Sequence, residues 1–494
     1  MLKINVLSNV VGSILNALLG ILFVPIFIKY IGTEGYGLMG VFASIQTVLY
    51  LLDMGLSTTL NRELAQYSVD TVGNKQKMID TTRTFELVFL GFSILAAIIA
   101  IVISYFFAQY WVNPTVLTRA EIFQDFVLLS LSFAFMLPKA LYYGGLLGLQ
   151  KHLVMNVVNV GGAVIKNVGA LAVLVFIEAS PKAFFQWQVL ASIIQTGLMA
   201  VALWHYLPKG FLNAHFDAAI LRGSKNFALG LTGISITAII LTQADKVILS
   251  KILTLENFGY YSFAALISSG LLQIISAVFQ AYFPKFSQQF AAGNEGALAK
   301  TYHQASKFMA LVILPIAALL VFFSKPILEI WTHNNTVLVQ NSYIIVSILT
   351  LGTALNGLMN IPYALSLAGG WTKLIIKTNI WMICFLIPLT IVSALYYGGV
   401  GAASVWLGLN IFYIIVLLTL IHRRFLQNEQ RKWIVEDVLP VFLITMIMSG
   451  VGAWLMPFEM SFLLRGLCIG VVFMISFIIS ARVAFPNLKV FNLK

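Results

Sequence analysis

The sequence predicts an all-α integral membrane protein with about 14 transmembrane helices. Hydrophobic residues make up 60% of the 494-residue chain, charged residues make up 10%, and the mean hydropathy is +0.93. A chain with so few polar residues cannot cover its apolar surface in water, which places it in a bilayer. Apolar stretches of about 20 residues, the length that crosses the hydrocarbon core, recur from Ile4 to Val483.

We number the predicted spans 1 to 14. They cover residues 4–30, 38–64, 84–108, 122–148, 154–177, 185–206, 226–252, 260–283, 308–331, 341–366, 376–397, 400–421, 437–456 and 461–483. Span 1 has a single leading lysine and no small-residue cleavage site after a short apolar core. We therefore expect it to be retained rather than removed as a signal peptide.

Two parts of the chain are similar to each other. Residues 29–45 (KYIGTEGYGLMGVFASI) align without a gap to residues 251–267 (KILTLENFGYYSFAALI), 222 positions later. The identical pairs are Lys29 and Lys251, Glu34 and Glu256, Gly37 and Gly259, Ala43 and Ala265, and Ile45 and Ile267. A second block follows at nearly the same offset, in which Pro138, Ala140, Leu141 and Gly145 recur as Pro362, Ala364, Leu365 and Gly369. In a chain this apolar, two collinear blocks indicate a duplicated transporter unit.

The duplication predicts the domain organisation. Both copies begin at an outward-going span and contain six spans, so they are parallel, and two lobes should enclose one central cavity. We predict an N-terminal lobe at residues 1–206, a cytoplasmic linker at 207–225, a C-terminal lobe at 226–421, and spans 13 and 14 with a cytoplasmic tail at 422–494. Spans 13 and 14 have few polar side chains, so we expect them to face lipid or a partner.

The distribution of basic residues predicts the orientation. With the N-terminus in the cytoplasm, most of the 30 Lys and Arg residues lie at cytoplasmic span ends and loops. By the positive-inside rule both termini are then cytoplasmic. The net charge of +12 is therefore mainly a topology signal, and nucleic acid need not be a partner. Basic loops, including His422 to Lys432, would also attract anionic lipid headgroups.

Charged residues inside the spans are the first candidates for a functional site. A Lys or Asp near mid-bilayer costs about 2.5–3.5 kcal/mol on insertion scales, so such residues should face water or a partner. They are Lys139, Lys166, Lys246, Asp53 and Asp245. Three lysines against two aspartates leave the cavity net positive, which predicts an anionic cargo. A structural ion pair is the alternative, most plausible for Asp245 beside Lys246, and for that pair we leave both interpretations open.

Amide and hydroxyl side chains form polar stripes on several predicted spans, as a shared lumen requires. On span 2 the stripe runs from Gln46 through Asp53 to Asn61. Such side chains also join helices to one another in membranes, which is the alternative for each one taken singly. Arg62 would reach the lumen only if its long side chain snorkels. The complete predicted cavity set is Asp53, Arg62, Lys139, Lys166, Gln243, Asp245, Lys246, Gln273, Asn356 and Asn360. Asp53 and Asp245 are also candidates for ion coupling.

The motifs of enzymes are missing from the sequence. It has no GxxxxGK[ST] loop, no HExxH pair, no CxxC set and no GxSxG elbow, so we expect neither hydrolytic chemistry nor a cofactor or metal. The six histidines fall near span ends, where an amphipathic ring at the membrane interface is the ordinary explanation.

Three motifs resemble a known family. The segments PIFIKYIGTEGYG (25–37), LDMGL (52–56) and NRELA (61–65) resemble the bacterial polysaccharide-transport family, the O-antigen and capsule flippases of the multidrug/oligosaccharidyl-lipid/polysaccharide exporter superfamily. The segment QADKVIL (243–249) fits the second lobe of that family. The similarity extends over most of spans 1 to 12.

The resemblance implies two six-helix lobes in a V that opens alternately to each side of a bacterial cytoplasmic membrane. It implies a cargo of undecaprenyl-diphosphate-linked oligosaccharide, with membrane lipids and the polysaccharide polymerase machinery as further partners. The diphosphate would lie near Lys139, Lys166 and Lys246. The alternatives are a cation-coupled multidrug or lipid II exporter of the same fold, and a non-transporting scaffold for a glycan synthesis complex.

Overall fold

A computed structural model describes the chain apart from residues 1–11, 13–14, 17, 50–52, 54, 71, 211–212, 334, 458–459 and 487–494, and at 49, 69, 223–238, 372–373 and 375 it describes the backbone alone. The chain forms two compact units, Met1–Gly259 and Tyr260–Lys494. The lobe bounds predicted from the duplication, with the linker at 207–225, remain a prediction.

Both units are built from long helices. The first contains α1 (Val24–Leu49), α2 (Leu56–Tyr67), α3 (Lys75–Phe106), α4 (Arg119–Gly148), α5 (His152–Phe176), α6 (Pro181–Tyr206), α7 (Ala218–Ile252) and the start of α8 (Leu255–Ala291). The second contains the rest of α8, α9 (Glu295–Phe322), α10 (Ser324–Trp331), α11 (Thr336–Ala368), α12 (Thr372–Phe412), α13 (Leu418–Phe425), α14 (Gln430–Lys432), α15 (Leu439–Leu455) and α16 (Phe462–Ala484). Short π-helical segments continue α3, join α12 to α13 and join α14 to α15.

The predicted fold class is confirmed. Within the described ranges, ten helical segments are long and apolar enough to cross a membrane. One of them, Ile376–Phe425, contains predicted spans 11 and 12 and is divided at Gly398, whose φ of 57° breaks the helix. Eleven residues of predicted span 1, 4–11, 13–14 and 17, lie outside the described residues. The β-structure among the described residues is a single bridge between Asn113 and Thr254.

Predicted span 2 is interrupted, which the hydropathy pattern did not indicate. The helix α1 ends at Leu49 and α2 begins at Leu56, preceded by Gly55 at φ 71°. A left-handed residue ends helical hydrogen bonding, and glycine adopts that conformation without a Cβ clash. The polar stripe predicted for one continuous helix from Gln46 to Asn61 is therefore interrupted at Gly55.

The two copies of the sequence repeat have the same local structure. In the first, Gly32 (φ 75°) breaks α1 and the helix resumes at Thr33; in the second, α7 ends at Ile252 and α8 resumes at Leu255. Thr33 and Leu255 are separated by the repeat offset.

The matching glycines of the repeat meet each other. A Cβ added to Gly37 would collide with the carbonyl oxygen of Leu255 and lie 3.2 Å from the nitrogen of Gly259. A Cβ added to Gly259 would collide with the carbonyl oxygen of Thr33. The two copies thus cross backbone to backbone at repeat-equivalent positions, a contact that only small residues permit in a membrane protein.

A second glycine contact packs α4 against α2. A Cβ at Gly144 would collide with the carbonyl oxygen of Ser57, and one at Gly148 with that of Asn61. The four-residue spacing on both helices gives a small-xxx-small seam. Backbone contact therefore holds one side of α2 close to α4.

Glu34 lies just after the break in α1 at Gly32 and binds the loop that follows α3. Its buried carboxylate accepts hydrogen bonds from the backbone N–H groups of Thr115, Val116 (2.9 Å) and Leu117 (2.7 Å), and from the hydroxyl of Thr115 (2.7 Å). Burial alone would raise the pKa of Glu34, but these donors favour the charged form and hold its pKa below the ordinary value.

We expect Glu34→Gln to destabilise the protein by about 1.5–3 kcal/mol, because an amide NH₂ would face backbone donors. The stability contributed by a lowered pKa is present above the unfolded value of about 4.3 and is lost as pH falls through the folded value. The difference in thermal midpoint between wild type and Glu34→Gln should therefore be full at pH 7 and shrink below about pH 4.3. Exposed Glu178→Gln is the control and should show no such difference.

The second unit contains a buried ionic network between α9 and the segment that begins the C-terminal helix pair. His303 on α9 bonds through Nδ1 to Asp437 Oδ2 at 2.5 Å and through Nε2 to Glu429 at 2.9 Å. Asp437 is fully buried, and Lys307 lies 3.8 Å from its other oxygen. Lys432 also belongs to this network, because it forms an ion pair with Glu429 at 3.7 Å.

This network corrects one expectation from the sequence. His303 and His422 are buried rather than interfacial, with 7% and 1% of their surface exposed. The C-terminal pair is also attached at its other end, where Arg465 of α16 forms an ion pair with Glu329 of α10 at 2.9 Å. Helices α15 and α16 turn Thr445, Ser449 and Ser480 inward and expose much of their apolar surface.

Candidate transport site

Two lysines stand near the middle of neighbouring helices in the first unit. Lys139 is half-buried on α4, one residue after Pro138, and Lys166 is half-buried near the centre of α5. The two ammonium groups are close enough to repel each other. Among the described residues, neither has a carboxylate within 4.0 Å. The structure thus brings together two predicted cations, and no carboxylate in the described part of the chain forms an ion pair with either.

An amide on α6 connects the two helices that carry these lysines. Gln195 is buried and accepts a hydrogen bond from Lys139 Nζ at 3.5 Å. Its Nε2 donates to the carbonyl and the side-chain oxygen of Asn159 on α5, at 3.3 and 3.4 Å. A Cβ at Gly162 would overlap the Gln195 side chain, so a glycine is needed for this amide to lie across α5. The hydrogen-bond partner of Lys139 is therefore a neutral amide rather than an acid.

Sequence inspection missed Gln195 because its helix lacks a long polar stripe. On α6 the buried polar residues are Gln188, Ser192 and Gln195, spaced three and four residues apart. Ser192 meets Ser132 of α4 at 2.8 Å. The spacing itself is the signal that could have identified this face.

The predicted residues on α7 form a local group. Lys246 Nζ donates to Gln243 Oε1 at 3.3 Å, one turn earlier on the same helix. Asp245 lies half-buried beside them. Gln243 thus gives Lys246 a neutral local partner, as Gln195 gives one to Lys139.

Two further predicted residues in the first unit have local partners. Asp53 accepts bonds from the backbone N–H of Ser57 (3.0 Å) and from its hydroxyl (2.6 Å), which caps the start of α2. Arg62 forms an ion pair with Glu63 at 2.6 Å and remains 40% exposed. Both side chains thus have structural roles, whatever they do in transport.

In the second unit the predicted amides belong to a ladder that joins α11 to α12. Asn356 donates to Asn410 Oδ1 at 2.9 Å, and Asn360 donates to the carbonyl of Asn356 at 3.0 Å. Asn410 is fully buried and was not singled out from the sequence. Trp406 extends the ladder by donating to Thr353 at 3.3 Å. Gln273 is exposed on α8, outside this ladder.

Over the described ranges, no group of three His, Cys, Asp or Glu side chains is arranged to hold a metal ion.

Comparison with known proteins identifies the family. Residues 2–290 match the family model described as polysaccharide biosynthesis protein. The chain belongs to this family.

Relatives of this polysaccharide biosynthesis family member are transporters. A candidate O-antigen transporter of Shigella flexneri is 22% identical over 404 residues, which cover 81% of this chain and 93% of the relative. The structure of the lipid II flippase MurJ in an inward closed conformation has a TM-score of 0.70 at 17% identity, covering 97% of this chain and 99% of MurJ. An inward-facing multidrug resistance transporter of the MATE family also scores 0.70, at 13% identity, covering 84% and 96%.

The structural likenesses establish the MurJ/MATE-like transporter fold, and with the family they support a membrane transporter of the flippase or exporter type. Multi-pass membrane insertion follows from the same comparisons and from the helical spans.

Proposed function

We propose that this protein translocates an undecaprenyl-diphosphate-linked oligosaccharide, such as an O-antigen repeat unit, from the cytoplasmic to the periplasmic leaflet of a bacterial inner membrane. One observation carries the proposal. Lys139 and Lys166 lie in membrane spans without a carboxylate partner among the described residues, and a diphosphate is a cargo that would supply the missing negative charge.

The free-energy cost of placing two lysines inside membrane spans supports a functional role for them rather than a stabilising one. Each cation near mid-bilayer costs about 2.5–3.5 kcal/mol on insertion scales, and residues that persist at such cost are functional by default. Two cations that repel each other add to that cost. Their neutral neighbours Gln195 and Asn159 leave the positive charge available to a ligand.

The chemistry of lysine suits a carrier that must release its cargo. An ammonium binds phosphate as a point charge, without the bidentate fork of arginine. Binding that is too tight would trap the cargo between the leaflets, as it would trap an ion in a channel. We propose that the diphosphate passes the lysines while the sugars contact amide and hydroxyl side chains and the polyprenyl tail stays in lipid.

Orientation follows from the basic loops, which we assign to the cytoplasm together with both termini. Alternating access between two lobes bounded as predicted from the repeat is the mechanism we propose. Ion coupling through Asp245 belongs to the same proposal. Asp53 is less available for it, because both its oxygens already accept bonds from Ser57.

The proposal is tested by complementation of a host strain whose own flippase is deleted. We expect Lys139→Gln with Lys166→Gln to reduce surface polysaccharide to less than a tenth of the wild-type level, because the diphosphate loses both cations. Lys139→Arg with Lys166→Arg should retain much of it.

The matched control is Lys75→Gln with Lys77→Gln, which removes two exposed cations from the start of α3 and should leave polymer unchanged. Equal expression in the membrane, measured by immunoblot, is required for the comparison. Normal polymer from the Lys139/Lys166 glutamine variant would overturn the proposed site, and drug efflux without glycan transport would favour an exporter of the MATE type.

A further inference from the structure

A cavity of about 840 Å³ opens where α13 ends and α14 begins. It lies at the junction of two membrane spans, Ile376–Phe425 and Gln430–Leu455, and so at the level of lipid headgroups. Its lining includes Arg423, Arg431, Gln427, Asn428, Ile434 and Val435. The cavity belongs to the second unit, whereas Lys139 and Lys166 belong to the first.

Four Arg and Lys residues lie between positions 423 and 432, and two of them already have partners. Arg424 stacks over the ring of Trp371, 4.4 Å from its centre, and Lys432 forms an ion pair with Glu429. Arg423 and Arg431 line the cavity and have no carboxylate within 4.0 Å among the described residues. Two guanidinium groups at one concave surface are suited to grip phosphate oxygens bidentately.

The acid in the turn that connects α13 to α14 is already neutralised. Glu429, the acid of the connecting turn, bonds to His303 at 2.9 Å and lies 3.7 Å from Lys432. The field of the two arginines is therefore not cancelled by this acid.

The walls of the cavity are fixed by bonds that do not involve the arginines. Gln430 donates to Thr419 on α13 at 2.8 Å, and His422 bonds to the carbonyl of Leu418 at 3.0 Å. The His422 ring also packs edge-on against Tyr302 and Trp433. Between them the chain turns at Asn428, whose φ is 69°. A ligand would thus meet a preformed concave surface, which costs less to bind than a mobile loop.

We propose that this cavity binds the phosphate of an anionic phospholipid headgroup, outside the transport path. The arginines would hold the phosphate, and the amides of Gln427 and Asn428 would reach the polar glycerol. Ile434 and Val435, 38% and 50% exposed, would contact the acyl-glycerol region. These apolar residues favour a lipid over a soluble phosphate compound, which would leave them in contact with water.

Native mass spectrometry of the purified full-length protein in a zwitterionic detergent tests the proposal. Phosphatidylglycerol and phosphatidylcholine are titrated separately, and the apparent Kd of the first bound lipid is measured. We expect phosphatidylglycerol to bind at least tenfold more tightly, and Arg423→Ala with Arg431→Ala to abolish that preference. Arg423→Lys with Arg431→Lys should keep part of it, because charge is retained while the bidentate geometry is lost.

Lys75→Ala with Lys77→Ala removes the same charge from the other unit and should leave the preference intact. An equal loss in that control would show unspecific attraction and would overturn the site.

A second arm adds glycerol 3-phosphate at up to a hundredfold excess. We expect no displacement of the lipid; full displacement would assign the cavity to a soluble phosphate and overturn the lipid assignment. Because binding is read without transport, failure here is distinguishable from failure of the proposed function.

Discussion

His303→Ala is expected to destabilise the protein by about 3 kcal/mol, because it removes the hydrogen-bond partner of a fully buried carboxylate, which is then left unsatisfied. Asp437 is fully buried, and its closest cationic partner after His303 is Lys307, at 3.8 Å. Removing the imidazole leaves a buried carboxylate whose remaining counter-charges, Lys307 and Lys432, form no hydrogen bond with it. Thermal unfolding of the detergent-purified protein should show a large fall in midpoint, with the C-terminal helix pair becoming accessible to protease first.

The control is His215→Ala, an exposed histidine that should leave the midpoint unchanged. The double variant His303→Ala with Asp437→Ala should cost much less than the sum of the two single variants, because neither charge is then left alone. Additive losses would contradict a direct interaction between these two side chains. A wild-type midpoint for His303→Ala would show that the pair contributes nothing to the attachment of α15 and α16.

Gly37→Ala and Gly259→Ala should each destabilise the protein by about 1–3 kcal/mol, because overpacking a tight contact forces the backbone to move. The atoms that the new methyl groups would meet are backbone carbonyl oxygens of Leu255 and Thr33. Such atoms cannot rotate away as the end of a side chain can. Both variants should show lower thermal midpoints and reduced transport, since the two repeats are joined at this crossing.

Gly91→Ala on α3 is the matched control, because nothing lies within 4 Å of its added Cβ. Alanine there should be neutral or slightly stabilising, since alanine has the higher helix propensity. If Gly37→Ala behaved like Gly91→Ala, the close crossing of the repeats would be wrong.

Features with local or repeated sequence signals were predictable. Hydropathy indicated the helices, and the repeat identified Gly37 and Gly259 before their contact was known. Lys139 and Lys166 were selected because a cation inside an apolar stretch is conspicuous at any position. Each of these inferences needs only the residue and its neighbours in sequence.

Features that depend on distant residues were not predictable. His303 and Asp437 are 134 positions apart, and no periodicity connects them. Asn410 is conspicuous only once Asn356 is placed against it. Asp53 was assigned to a continuous polar stripe, because the 100° rule assumes an unbroken helix and cannot show that Gly55 interrupts it.

The central claim is that Lys139 and Lys166 carry a lipid-linked diphosphate across the membrane. The direct measurement is a flipping assay with purified protein in vesicles, using a fluorescent undecaprenyl-diphosphate oligosaccharide and a reducing agent that quenches only the outer leaflet. We expect wild type and the Lys75/Lys77 glutamine control to flip the lipid at the same rate, and the Lys139/Lys166 glutamine variant to lose at least nine-tenths of that rate. Undiminished flipping by that variant would contradict the account.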